Sequence, residues 1–280
     1  MFTNRLTIIG VGNMGRMIAL GLLDKGILRP EQLILSNPTI ADLADFKIKG
    51  VVVTDNNINA INQGDIVLLA VKPQVFPTLL KEFTHSGTSQ ISNFKFQISN
   101  KLIISIAAGV TIESIKRALG EKQCVVRVMP NLCAMVGESM SGWVKSAEVT
   151  LEQASLVKEL LQSIGKEVEL EDERLIDAVT AVSGSGPAYV FYLAEILEQN
   201  AKDLGIPDGA ARLLARQTII GSAKVLGQSS WSAKELRLKV TSKGGTTEAA
   251  FNTFEEINLR AVFKNGIRAA WRRARELHLP

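Results

Sequence analysis

The stretch Leu6-Thr7-Ile8-Ile9-Gly10-Val11-Gly12-Asn13-Met14-Gly15 decides the reading of this chain. A short apolar run ends in three glycines spaced GxGxxG. From Met14 to Leu23 the apolar residues then recur at helical intervals, until Gly26 stops them. In a strand–turn–helix each glycine has a separate task. The first permits the tight turn, the second lets a pyrophosphate approach the backbone, and the third lets the helix pack on the strand. The unpaired amides at the helix start then face the phosphates. The segment predicts a dinucleotide site.

Working outward, Leu33–Leu35, Val51–Val53, Ile66–Ala70, Leu102–Ile106 and Val125–Met129 are further short apolar runs separated by helical segments. Continuous apolar character suits strands buried on both faces. The alternation predicts an α/β fold with a doubly wound sheet. After Lys166–Leu170 the strand pattern ends. From Asp172 onward the pattern is helical except for a turn at Thr241–Gly245, which places the domain boundary near 170: residues 1–170 bind the dinucleotide and 171–280 form a helical domain. Helices are expected over Pro187–Leu204, Asp208–Leu226 and Asn258–Leu277. The second is apolar on more than one side and needs burial all round, which points to pairing with another chain. The third carries a basic stripe, Arg260, Lys264, Arg268 and Arg272, read as a solvated face. Residues 84–101, rich in Ser, Asn and Gln, read as a surface insertion.

Composition narrows the chemistry. The 280 residues are 46% hydrophobic and 21% charged, which excludes a disordered chain. A net charge of +4 is too small to announce a nucleic-acid binder. Two histidines and two cysteines leave too few ligands for a Cys/His metal cluster, so no metal is expected. Cys124 and Cys133 read as buried thiols rather than a disulfide. No apolar run reaches the roughly 18 residues of a membrane span, and the first residues lack the pattern of a secretion signal, so a cytoplasmic protein without membrane contact is expected.

The cofactor type is read from the end of the second strand, where NAD binders carry a carboxylate for the ribose hydroxyls. This chain has Ser36-Asn37-Pro38-Thr39. A hydroxyl and an amide accommodate a 2′-phosphate without repulsion, which favours NADPH while leaving NADH possible. The Asn57 amide is placed to reach the adenosine side. Lys72, before Pro73, brings a positive charge to the loop that should cross the cofactor. Ala107-Ala108-Gly109 leaves room for the nicotinamide end.

These residues, with Arg127-Val128-Met129-Pro130-Asn131, AVSGSGPA at 181–188 and VTSKGGTTEA at 240–249, resemble the pyrroline-5-carboxylate reductase family over nearly the whole chain. The resemblance implies a Rossmann-like N-terminal domain and an all-α dimerisation domain. It further implies reduction of the C=N bond of 1-pyrroline-5-carboxylate to L-proline by hydride from NAD(P)H, in a homodimer or a larger homo-oligomer whose site combines the cofactor of one chain with helical elements of the dimer. Carried onto this chain, Ile9, Gly10, Gly12, Asn13, Met14 and Gly15 line the pyrophosphate. Ser36, Asn37 and Asn57 face the adenosine half, and Val71, Lys72 and Ala108 the ribose and nicotinamide. Ser242, Gly244, Gly245, Thr246 and Thr247 hold the substrate. Exposed amides of Gly244 and Gly245 before a helix are expected to grip the substrate carboxylate. Thr247 is the candidate catalytic residue, its hydroxyl bonding the ring nitrogen; its alternative role is a helix cap. Ser183–Pro187 has a structural reading too, as a serine cap followed by proline early in a helix.

The chain departs from the family pattern at several positions. Lys243 stands where the family has proline, Leu132-Cys133 where it has Thr-Pro, and Ser230 where some relatives have an acid. Three rival readings remain: another small imine or hydroxyacid reductase of the same fold, a non-catalytic NADPH-binding protein, and a nucleic-acid binder acting through the basic segment Arg260–Arg275. The hydroxyacid enzymes need a lysine at the domain junction, and Ser183–Gly186 contains none.

Overall fold

A computed structural model describes residues 4–85, 98 and 100–278, and for Thr84 and His85 only the backbone. Most of the expected insertion at 84–101 thus lies outside the described residues. The chain divides into two compact units. One runs to Gly184 and takes up the chain again from Ala270; the other is Ser185–Ala269. The division at Gly184 lies beyond the expected boundary near 170.

The described residues of the first unit form eight strands: β1 (Leu6–Ile9), β2 (Leu33–Ser36), β3 (Val52–Thr54), β4 (Ile66–Leu69), β5 (Leu102–Ser105), β6 (Cys124–Met129), β7 (Ser139–Lys145) and β8 (Gly165–Glu169). Their order is β3-β2-β1-β4-β5-β6-β7-β8, parallel throughout except at β6–β7. This is the doubly wound arrangement expected from the alternating pattern. Successive residues feed opposite faces. Leu6 and Ile8 of β1 join one core with Leu33, Leu35 and Leu68, whereas Ile9 joins the other with Ile34, Val67 and Leu69. Thr7 is the polar member of β1. It is fully buried, and its hydroxyl donates to the Ala60 carbonyl at 2.8 Å, so no polar group is stranded.

The helices of this unit include α1 (Asn13–Asp24), α2 (Ala44–Ile48), α3 (Asn57–Gln63), α4 (Phe76–His85), α5 (Ile112–Leu119), α6 (Leu151–Gln162) and α7 (Leu175–Val179). A π-helical turn, Thr180–Gly184, follows α7. β7 is a strand the apolar pattern does not announce. Its sequence, SMSGWVK, mixes buried serines with the fully buried Trp143. Those polar groups are satisfied: Ser139 Oγ accepts from Asn131 N at 3.1 Å, and Trp143 Nε1 donates to Glu167 at 2.7 Å.

The second unit is helical: α8 (Gly186–Asp203), α9 (Asp208–Gln228), α10 (Ala233–Lys239), α11 (Thr246–Glu256) and most of α12 (Leu259–Glu276). α9 buries only Ala211 and Ala215 within the chain, although burial all round was expected. Leu213 and Leu214 are exposed, as are Phe191 and Leu193 on α8. Cys124 and Cys133 are free thiols, but half-buried rather than buried, and the Cys124 Sγ reaches the Glu148 carbonyl at 3.3 Å. No described helix is long and apolar enough to cross a membrane.

Candidate active site

In an open α/β sheet, ligands bind beyond the carboxyl ends of the strands where the strand order reverses. Here that point lies between β1 and β4. The glycine turn leaves β1 there. Gly10 has φ +87°, a left-handed conformation that favours glycine, and a Cβ at that position would lie 2.7 Å from Val71 Cγ1. A Cβ on Gly15 would lie 2.5 Å from the Gly10 carbonyl oxygen, so helix and turn are in contact. Gly12 differs: a Cβ there would meet nothing within 4 Å, and Gly12 caps α1 without any side-chain bond. The first-turn amides of α1, at Asn13, Met14 and Gly15, are the donors a helix start leaves without partners in the helix, and the open space beside Gly12 suits a phosphate there. Ile9 is 1% exposed and its carbonyl accepts from Ala70 N at 2.8 Å, so its side chain belongs to the core and not to the cradle.

The turn is tied to the end of β2. Gly10 N donates to the Ser36 carbonyl at 2.9 Å, and Val11 N reaches Asn37 Oδ1 at 3.4 Å. Ser36 and Asn57 come together and bond each other: Ser36 Oγ donates to Asn57 Oδ1 at 2.7 Å, and Asn57 Nδ2 donates to Glu82 Oε2 at 2.9 Å. Ser36 is 1% exposed, so it lies beneath the surface at the end of β2. Glu82, on α4, brings a carboxylate to this cluster that the end of β2 lacks. Lys72 is exposed at the start of a short turn beginning at Pro73, and Ala108 is half-buried after β5.

The residues expected to hold the substrate lie in the second unit. Gly244 is left-handed, φ +72°, and Gly245 caps α11. A Cβ on Gly245 would lie 2.5 Å from Ser242 Oγ, so the loop closes over the serine. The two amides expected to hold a carboxylate are already engaged. Gly244 N donates to Glu248 Oε2 at 2.7 Å, and Gly245 N to the Ser242 carbonyl at 3.0 Å. The amides expected to grip a carboxylate thus hold Glu248 and Ser242 in this structure. With no side-chain cap on α11, the donors turned outward at its start are the first-turn amides beginning with Thr246 and Thr247. The sequence held a signal for this: Glu248 stands three residues after the Gly245 cap, where a carboxylate folds back on the turn. Thr247 is the second residue of the helix and half-buried, so it is not the cap. The serine cap expected before Pro187 does not form either: Ser185 makes no capping bond, and the Ser183 hydroxyl donates to the Val179 carbonyl at 3.3 Å.

Comparison with known proteins covers both halves. Residues 5–109 match a family model described as NADP oxidoreductase, coenzyme F420-dependent. Residues 173–277 match the model for pyrroline-5-carboxylate reductase dimerisation. The pyrroline-5-carboxylate reductase of Methanosarcina acetivorans is 37% identical over 279 residues, 99% of each chain. That of Pseudomonas aeruginosa is 36% identical over 99% of this chain and 98% of its own. Among solved structures, a pyrroline-5-carboxylate reductase from Coxiella burnetii superposes with a TM-score of 0.90 at 35% identity, covering 99% of this chain and all of that one. The Plasmodium falciparum enzyme, solved with NADP bound, gives 0.85 at 26% identity with both chains fully covered. The first match alone fits many reductases, since it spans little beyond the glycine turn and its sheet. The second match and the full-length identities are specific, and with them the chain belongs to the pyrroline-5-carboxylate reductase family.

Proposed function

We infer that this protein is an NAD(P)H-dependent reductase that converts 1-pyrroline-5-carboxylate to L-proline, acting as a homodimer or larger homo-oligomer. The observation that carries this reading is the full-length likeness at 37% identity, over 99% of both chains. The glycine turn fits the cofactor: Gly12 leaves the space a dinucleotide needs, and the helix start supplies amides to the pyrophosphate. NADPH is the preferred form, because no carboxylate stands at the end of β2 itself.

When bound, the reduced nicotinamide supplies a hydride. The chain supplies position. The substrate is a cyclic imine with a carboxylate, and protonation of its nitrogen makes the ring carbon the better acceptor. The amides of Thr246 and Thr247, at the positive end of α11, hold the carboxylate. The Thr247 hydroxyl bonds the ring nitrogen and keeps its proton in place. Ser242 braces the loop that Gly244 and Gly245 turn. This division needs no histidine relay and no metal, in keeping with a chain that has two histidines. Proximity and orientation then account for much of the rate.

A bacterial strain that lacks its own reductase and needs proline tests the reading. Expression of this chain is expected to restore growth without proline. Failure to grow, with the purified protein reducing NADP+ at the expense of a hydroxyacid instead, would favour the hydroxyacid rival.

A further inference from the structure

A partly buried charge network in the first unit has no part in the chemistry above. Arg127, within β6, has a side chain only 3% exposed. Its Nη1 donates to Glu173 Oε1 at 2.9 Å, and its Nη2 lies 3.5 Å from Asp177 Oδ1. Each carboxylate also serves a second segment. Glu173 Oε1 accepts from Ile112 N at 2.9 Å, at the start of α5. Asp177 Oδ1 pairs with His278 Nε2 at 2.9 Å, just past the end of α12.

Both segments converge on one loop, the one that follows β5 and contains Ala107-Ala108-Gly109. Ile112 closes that loop on one side. On the other, Gly109 is left-handed, φ +75°, and a Cβ there would run into the Leu277 carbonyl oxygen. Leu277 is the immediate neighbour of His278. Glu173 thus fixes the loop's exit, while Asp177, through His278, holds the backbone that lies over Gly109. Arg127 ties the two carboxylates together from inside the sheet. A buried ion pair is a poor source of stability compared with apolar packing. What this one provides is a fixed height for three backbone segments.

We propose that Arg127 and His278 are positioning residues for the nicotinamide end of the cofactor, acting through the Ala107–Gly109 loop. This rests on the reading of the β1–β4 crevice as a dinucleotide site. Neither residue touches the reacting atoms. Their effect is on where Ala108 and Gly109 stand, so loosening them disturbs the ring end of NADPH and spares its adenosine end.

The test uses the full-length protein in its native assembly. His278→Ala removes one of the two partners of Asp177 in the network, and His278→Asn restores a donor. Arg127→Lys keeps the charge but loses the fork that reaches both carboxylates. Equilibrium affinities are measured for NADPH and for 2′-phospho-ADP-ribose, which lacks the nicotinamide, beside kcat and KM in the reductase assay. For His278→Ala, NADPH affinity is expected to fall about fivefold and kcat about tenfold, an orientation effect. Affinity for 2′-phospho-ADP-ribose is expected to stay within about twofold, and His278→Asn to recover most of the loss. Equal weakening of both nucleotides, or wild-type behaviour of His278→Ala, would overturn the proposal. If Arg127→Lys does not fold, the two His278 variants decide. The binding measurements need no imine, so an inactive protein that still shows the nucleotide difference would count against the assigned substrate and leave the network's role standing. A wild-type chain that binds neither nucleotide would overturn both.

Discussion

Gly12 and Gly15 are three residues apart, yet the space beside each differs. An added methyl at Gly15 meets the Gly10 carbonyl at 2.5 Å, and backbone has to move. Gly15→Ala is therefore expected to cost about 1–3 kcal/mol of stability, read as a lower urea midpoint. At Gly12 the methyl enters open space. Gly12→Ala is expected to hold stability to within about 1 kcal/mol, while the KM for NADPH rises roughly tenfold as the methyl takes pyrophosphate room. A different balance applies at Thr247. Thr247→Ala is expected to lower kcat by about 10²-fold with NADPH affinity unchanged, and Thr247→Ser to recover part of the loss by restoring a hydroxyl. Wild-type turnover in Thr247→Ala would remove its assigned role.

At the scale of elements, what was legible depended on whether the signal was local. The GxGxxG turn carries its own context, and the continuous apolar runs of β1, β2, β4, β5 and β6 reported strands buried on both faces. β7 was missed because its buried serines are satisfied by residues elsewhere in the chain, such as Asn131, a bond no periodicity reveals. The engaged amide of Gly244 is readable in principle from Glu248, three residues after the Gly245 cap. The docking of Leu277 and His278 onto the β5 loop is a contact between distant segments and left no mark in the pattern. One element contact also sets a pH response. Lys116 on α5 donates to Glu148 at 2.7 Å, and chiefly through that bond the Glu148 carboxyl is lowered to about 2 from an ordinary 4.5. A lowered folded value means the contribution is full above about 4.5 and fades as pH falls toward 2. With the carboxylate part-exposed, it is worth on the order of 1 kcal/mol. Lys116→Met is expected to lower the urea midpoint at pH 7, with the gap to wild type closing below pH 4.5.

At the scale of the whole molecule, the second unit exposes more apolar surface than a lone chain tolerates. Phe191 is 58% exposed, Tyr192 62% and Leu213 67%, on helices long enough to bury them. Surface of this kind marks an interface, and the segment matches a dimerisation model. Sedimentation is expected to give a dimer or larger for the wild type and a monomer, with little activity, for a Phe191→Glu, Leu213→Glu double variant. A monomeric, fully active wild type would refute the need for a partner.

The most direct measurement of the central claim is the steady-state oxidation of NADPH and of NADH by the purified protein with 1-pyrroline-5-carboxylate, with L-proline quantified. The expected result is one proline formed per nucleotide oxidised, with a higher kcat/KM for NADPH. Nucleotide binding without any imine-dependent oxidation, or turnover that yields no proline, would contradict it.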